Sequence, residues 1–241
     1  MNKKIIICGA LLVAGAARAE LPPATVRALQ ATNQNSVLPL SGTIKFLCGR
    51  CDKIHDVVIE GPATVVDASG LLLTSSSTVP ILLTDRKPEI RESTLKVKRP
   101  DGTEVPLRVV LTDRDLDAIL LAPEKPGNAS TGAFQPVKWD SAAKAQLFDE
   151  VVIVGRMGQN YEARSEAAPA KINAVVTKPR TFYICALLSS GDGEAVFNAA
   201  GQLIGVGLGR ERVVAADELQ DIIEQARRAA MQKSSTTKET P

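Results

Sequence analysis

The chain has 241 residues, 44% of them hydrophobic and 23% charged, enough apolar material for one large domain or two small ones. Lys and Arg number 29 against 27 Asp and Glu, and three of those bases (Lys3, Lys4, Arg18) lie in the first 19 residues, so the remainder is near neutral at 26 against 27. Aromatic residues make up only 3%, and no basic stretch carries interleaved aromatics, which argues against a nucleic-acid partner.

Residues 1–19 read as a signal peptide: a basic start, an apolar core over 5–14 and the small-x-small site Ala17-Arg18-Ala19. The expected destination is the periplasm or the extracellular space. The apolar run is too short for a bilayer span, so no membrane span is expected in the mature chain. Residues 20–36 are polar and Ala-rich, a flexible lead-in or one short helix over 25–32.

From residue 37 strands dominate. The β-branched and alternating runs predict strands over 42–47, 56–60, 63–66, 71–74, 94–98, 105–111 and 118–121, with turn chemistry at 67–70 and 100–103. A Pro/Gly-rich link over 123–136 precedes a second set at 150–154, 170–176, 182–188, 195–197, 203–206 and 213–214. Short strands at about 8–12-residue spacing indicate a sandwich or barrel. Asp217 can cap a closing helix over 217–232, whose Leu219, Ile222, Ile223, Ala226 and Ala230 form one apolar stripe. The Ser/Thr/Lys-rich segment 233–241 is expected to be disordered.

Three stretches carry a family resemblance. In 189–206, Gly193, Asn198, Gly201 and Gly205 resemble the nucleophile loop and following hairpin of trypsin-like serine proteases, especially the bacterial HtrA-like branch. Counting back from Gly201, Asp192 falls where that family carries its nucleophilic serine. In 61–79, Gly61, Val65, Gly70 and Thr74 resemble the segment bearing the catalytic histidine, whose place is taken by Ser77. In 109–121 the strand leading to the catalytic aspartate maps that residue to Asp117. The resemblance covers 37–216 and implies an all-β, chymotrypsin-like double β-barrel, barrel one about 37–123 and barrel two about 134–216, with the C-terminal helix added.

The chemistry implied by that family is altered. A serine nucleophile needs a neighbouring base, itself oriented by a carboxylate. Ser77 is no base near neutral pH, and Asp192 is a poor nucleophile toward an amide. The expectation is a non-catalytic pseudoprotease acting as a binding or scaffold module for a protein or peptide partner. The alternative is an active serine endopeptidase with a rearranged site, using Ser190 as nucleophile and His55, the single histidine, as base. A third reading takes the matches as chance in an unrelated exported β-protein. The resemblance also places oxyanion-hole N–H groups at Ser190 and Asp192, where the Asp192 carboxylate would repel a developing anion or fill the hole as a built-in one.

Three cysteines follow the leader. Cys48 and Cys51, in a C-x-x-C-x-x-x-H segment ending at His55, form a local disulfide that leaves Cys185 odd, or the four residues Cys48, Cys51, His55 and Cys185 hold a structural zinc. No other cofactor is expected. A thioredoxin-like role is disfavoured, because no βαβ pattern surrounds the motif.

Overall fold

Runs of Val, Ile and Leu broken by glycine and Asx turns fold into two seven-stranded antiparallel sheets. This computed structural model describes residues 21–48, 51–79, 89–125, 134–186, 192–209 and 211–236. The signal peptide, Ser190 and the last five residues of the tail lie outside the described residues.

The first sheet contains β1 (Val37–Leu47), β2 (Ile54–Val65), β3 (Leu72–Ser75), β4 (Glu89–Ser93), β5 (Lys96–Lys98), β6 (Glu104–Asp113) and β7 (Ala118–Pro123). Its order is β2-β3-β7-β6-β5-β1, and β1 pairs back onto β2, so six strands close into a ring with β4 as an extra edge on β1. The second contains β8 (Glu150–Arg156), β9 (Ser165–Lys171), β10 (Ala174–Val176), β11 (Phe182–Ile184), β12 (Ala195–Asn198), β13 (Leu203–Gly207) and β14 (Arg212–Ala215), in the order β10-β11-β14-β13-β12-β8-β9. Two barrel-like sheets and a C-terminal helix make a chymotrypsin-like fold.

Side-chain alternation explains how they pack. In β7 all six residues are buried. Ile119 and Leu121 point into the first barrel, while Leu120 and Ala122 point outward onto a second core. That outer core includes Leu73, Val206, Val214 and the stripe Leu219, Ile222, Ile223 and Ala226 of α2 (Ala216–Thr236), so the helix and β14 seal the seam between the sheets. Each buried Leu or Ile there contributes about 1.5–3 kcal/mol. Among the described residues no helix is long and apolar enough to cross a membrane.

The lead-in is ordered. α1 (Pro23–Asn33) starts on a proline, which suits a first helical turn, and packs Val26 against Val152, Val154 and Phe197 of the second sheet. Arg156 ties it down by donating to the carbonyls of Val37 (2.6 Å) and Gln34.

Several boundaries differ from the sequence expectation. The strands at 56–60 and 63–66 are one strand, β2, because Pro62 sits opposite Pro39, a pair that needs no ladder hydrogen bond. β4 is wholly exposed and β9 is Ala-rich and largely half-buried, so neither shows an apolar alternation to read. The helix continues through Thr236, four residues into the segment expected to be disordered.

Candidate functional site at the seam of the two sheets

The site is built by turns at strand ends. The turn after β3 carries Ser76, Ser77 and Thr78, and Asp117 precedes β7 in a left-handed conformation (φ 54°). Asp192 and Gly193 precede β12, and Gly209 follows β13 with φ 85°.

Three threonines of the first barrel grip the backbone of the 192–193 loop. The Thr64 hydroxyl donates to the Gly193 carbonyl (2.8 Å) and the Thr78 hydroxyl to the Asp192 carbonyl (3.1 Å). The Thr74 hydroxyl lies 2.9 Å from the Pro62 carbonyl and 3.4 Å from that of Asp192. Thr64 and Thr74 are completely buried, so these bonds replace water the groups no longer reach. Gly193 is required by this closeness: with φ at 113°, a Cβ would lie 2.2 Å from the Pro62 oxygen.

The side chains then meet around Gly209. The Ser77 hydroxyl donates to one Asp192 carboxylate oxygen, and the other accepts the Gly209 N–H at 2.8 Å. Ser75 braces Ser77, its hydroxyl 2.8 Å from that of Ser77 and accepting the Ser77 N–H at 3.1 Å. Asp117 accepts the Ser76 hydroxyl (3.3 Å) on one carboxylate oxygen and is paired with Arg212 through the other. Arg212 is fixed in turn by the carbonyls of Leu208 (2.9 Å) and Leu116 (3.1 Å). A Cβ on Gly209 would come within 3.6 Å of both Arg212 Nη2 and Asp117 Oδ2. Beside the pair, Leu116, Arg180, Phe182 and Arg212 line a cleft of about 500 Å³.

The structure therefore brings Ser77, Asp117 and Asp192 together, but as two separate pairs, Ser77 with Asp192 and Asp117 with Arg212. The Asp192 carboxylate, expected either to repel a developing anion or to fill the N–H groups of its own loop, accepts the N–H of Gly209, on the same sheet. Ser190 lies outside the described residues. Arg212 and the three threonines were missed in the sequence. A threonine inside the apolar runs 63–66 and 71–74 was the available signal for Thr64 and Thr74; Thr78, in a turn, offered none.

His55 is elsewhere. It lies at the β1–β2 hairpin, opposite Phe46, against whose ring it stacks at 5.6 Å. Eight strand residues, roughly 30 Å of chain, separate it from Thr64 at the seam; Ser190, the nucleophile expected to pair with it, is outside the described residues. Its Nε2 lies 3.1 Å from Cys51 Sγ, and the ligand atoms of Cys48, Cys51 and His55 all fall within 4.8 Å of one another. None of the three described cysteines is in a disulfide. Hydrogen bonding with Cys48 raises the Cys51 thiol above its ordinary value. Cys185 does not join this group: it is buried in the core of the second sheet, where burial first, then the charges of Glu194 and Glu211, push its thiol up to about 11. The four-ligand zinc set is thus reduced to three residues, because Cys185 is on the other sheet.

A sequence profile described as trypsin-like peptidase domain matches residues 61–206. No curated protein sequence matches the chain. Among solved structures, the chain is similar to an inactive-form serine-to-alanine mutant of Rv3671c from M. tuberculosis H37Rv, at 19% identity and a TM-score of 0.59, covering 86% of this chain and 96% of that one. It is likewise similar to the active form of the Rv3671c protease from M. tuberculosis, at 21% identity and a TM-score of 0.57, covering 84% and 86%.

Proposed function

The chain belongs to the trypsin-like peptidase domain family, and from that membership we propose that it is an exported, non-catalytic member, a pseudoprotease that presents the seam as a protein- or peptide-binding or scaffold surface. One observation carries the reading. A serine stands where a base is needed and is hydrogen-bonded to an aspartate standing where the nucleophile is needed, while Arg212 occupies the remaining carboxylate.

Acyl transfer needs a proton acceptor beside the attacking oxygen. The Ser77 hydroxyl is held as a donor to a carboxylate, which is the reverse of that role. Asp117, which would orient an imidazole, is instead neutralised by a guanidinium. The Asp192 carboxylate places negative charge where a tetrahedral intermediate would develop its own, and it occupies the Gly209 N–H, a backbone donor beside Asp117 and Arg212. What remains is a recess with apolar walls and two arginines, suited to holding a chain segment without cleaving it.

The test is treatment of the mature protein with a fluorophosphonate probe and with casein. No labelling and no hydrolysis above background are expected, and casein peptides that bind are recovered intact. Labelling of Ser190 that disappears in Ser190→Ala would establish the alternative, a serine endopeptidase with a rearranged site. Export rests on residues 1–19, and amino-terminal sequencing of the protein from the periplasm or medium is expected to begin at Glu20.

A further inference from the structure

We propose that Cys48, Cys51 and His55 form a three-ligand site for a soft divalent cation, zinc being the reference ion, with the fourth position open to water or to a ligand from another molecule. Two thiolates and an imidazole are the donor set zinc and its relatives select, and three protein ligands with one open position are a recurrent zinc arrangement.

The hairpin presents the donors already gathered. Cys48 N–H donates to the Lys53 carbonyl at 2.9 Å and Asp52 N–H to the Cys48 carbonyl at 2.9 Å, with Asp52 in a left-handed conformation (φ 54°). This knuckle folds Cys51 back over the end of β2. The cross-strand pair Phe46↔His55 places the imidazole one strand position from the knuckle, and stacking on Phe46 limits its rotation. Metal–sulfur and metal–nitrogen bonds of about 2.0–2.3 Å in a tetrahedron set ligand atoms roughly 3.3–3.8 Å apart. The observed 3.1 Å between Cys51 Sγ and His55 Nε2 lies close to those edges, and all three ligand atoms fall within 4.8 Å of one another.

Two thiolates balance the charge of a divalent ion, so the site needs no burial. Cys51 and His55 are exposed, which leaves the open position accessible. The metal form and a Cys48–Cys51 disulfide exclude one another, since coordination requires both thiolates. A disulfide alone would have no use for an imidazole held at 3.1 Å. The site lies on the first barrel's hairpin, away from the seam, and stands or falls independently of the proposed function.

The experiment uses the full mature chain, reduced, stripped with a chelator and titrated with Zn²⁺ and with Co²⁺. About one metal per chain is expected, with the thiolate-to-cobalt charge-transfer band and intense visible bands of a tetrahedral site. Even outer-shell partners cost about 10–100-fold in affinity, so Cys51→Ser and His55→Gln should each weaken zinc binding by at least about tenfold. Cys185→Ser should leave it unchanged. Circular dichroism of each variant separates loss of a ligand from loss of fold. Failure of the reduced chain to bind, undiminished binding by His55→Gln, loss of binding in folded Cys185→Ser, or a Cys48–Cys51 disulfide without metal in protein taken from its native compartment would each overturn the proposal.

Discussion

Replacing Gly193 by alanine probes how tightly the two sheets are locked at the site. The new Cβ would lie 2.2 Å from the Pro62 oxygen, 2.9 Å from Thr74 Oγ1 and 3.0 Å from the Pro62 carbonyl carbon. Pro62 cannot retreat cheaply, because β2 is paired with β1 from Ile54 to Thr64. The loop must move instead. A non-glycine residue held at φ 113° costs about 1–3 kcal/mol. Displacing the loop breaks the Thr64 hydroxyl bond to the Gly193 carbonyl, and leaving a buried polar group unpaired costs about 1–3 kcal/mol more. The sum, about 2–6 kcal/mol, is a large part of the roughly 5–15 kcal/mol that folds a typical domain. At about 2–4 °C per kcal/mol for a chain of this size, the melting temperature should fall by roughly 4–24 °C. Thermal unfolding followed by circular dichroism measures the shift, and urea unfolding the free-energy loss. Gly102→Ala is the matched control: its φ is 83°, but a Cβ there meets nothing within 4 Å, so only backbone strain is added. A Gly193→Ala loss within about 0.5 kcal/mol of the Gly102→Ala loss would refute the packing argument.

Two further outcomes follow from the same geometry. Restoring the family residues by Ser77→His with Asp192→Ser should give little hydrolysis of an activated p-nitrophenyl ester while Arg212 still holds Asp117, and adding Arg212→Ala should raise it by at least about tenfold by freeing the carboxylate to orient the new imidazole; equal rates with and without the third change would contradict this. Cys185 should be slow toward a thiol reagent while Cys48 and Cys51 react, and because burial lifts its folded value from 9.0 to about 11, its contribution to stability is fully present below about pH 9 and lost as pH rises through 11; denaturation across that window, flattened in Cys185→Ser, checks the sign.

Much of the fold was legible in the amino-acid order because strand signals are local. The β-branched runs in β6, β7, β8, β12 and β13, the turns at 67–70 and 100–103, and the apolar stripe of α2 each declare themselves over a few residues. That the turns bearing Ser77, Asp117 and Asp192 meet at one seam was expected for the same reason, since glycine spacing travels with the loops it shapes. β4 was not, because an exposed edge strand has no face to bury, and β2 was split because two facing prolines look like a break until their register is known. Nothing local ties Asp117 to Arg212, which is 95 residues away, or Thr64 to Gly193, which is 129 away. Those partners are chosen only when the two sheets dock, because desolvated hydroxyls, carbonyls and charges must then find one another across the seam. Cys185 shows the same division. Its sequence made it a candidate ligand beside Cys48, Cys51 and His55, but the sheet order buries it in the second core and leaves three donors together on the hairpin of the first.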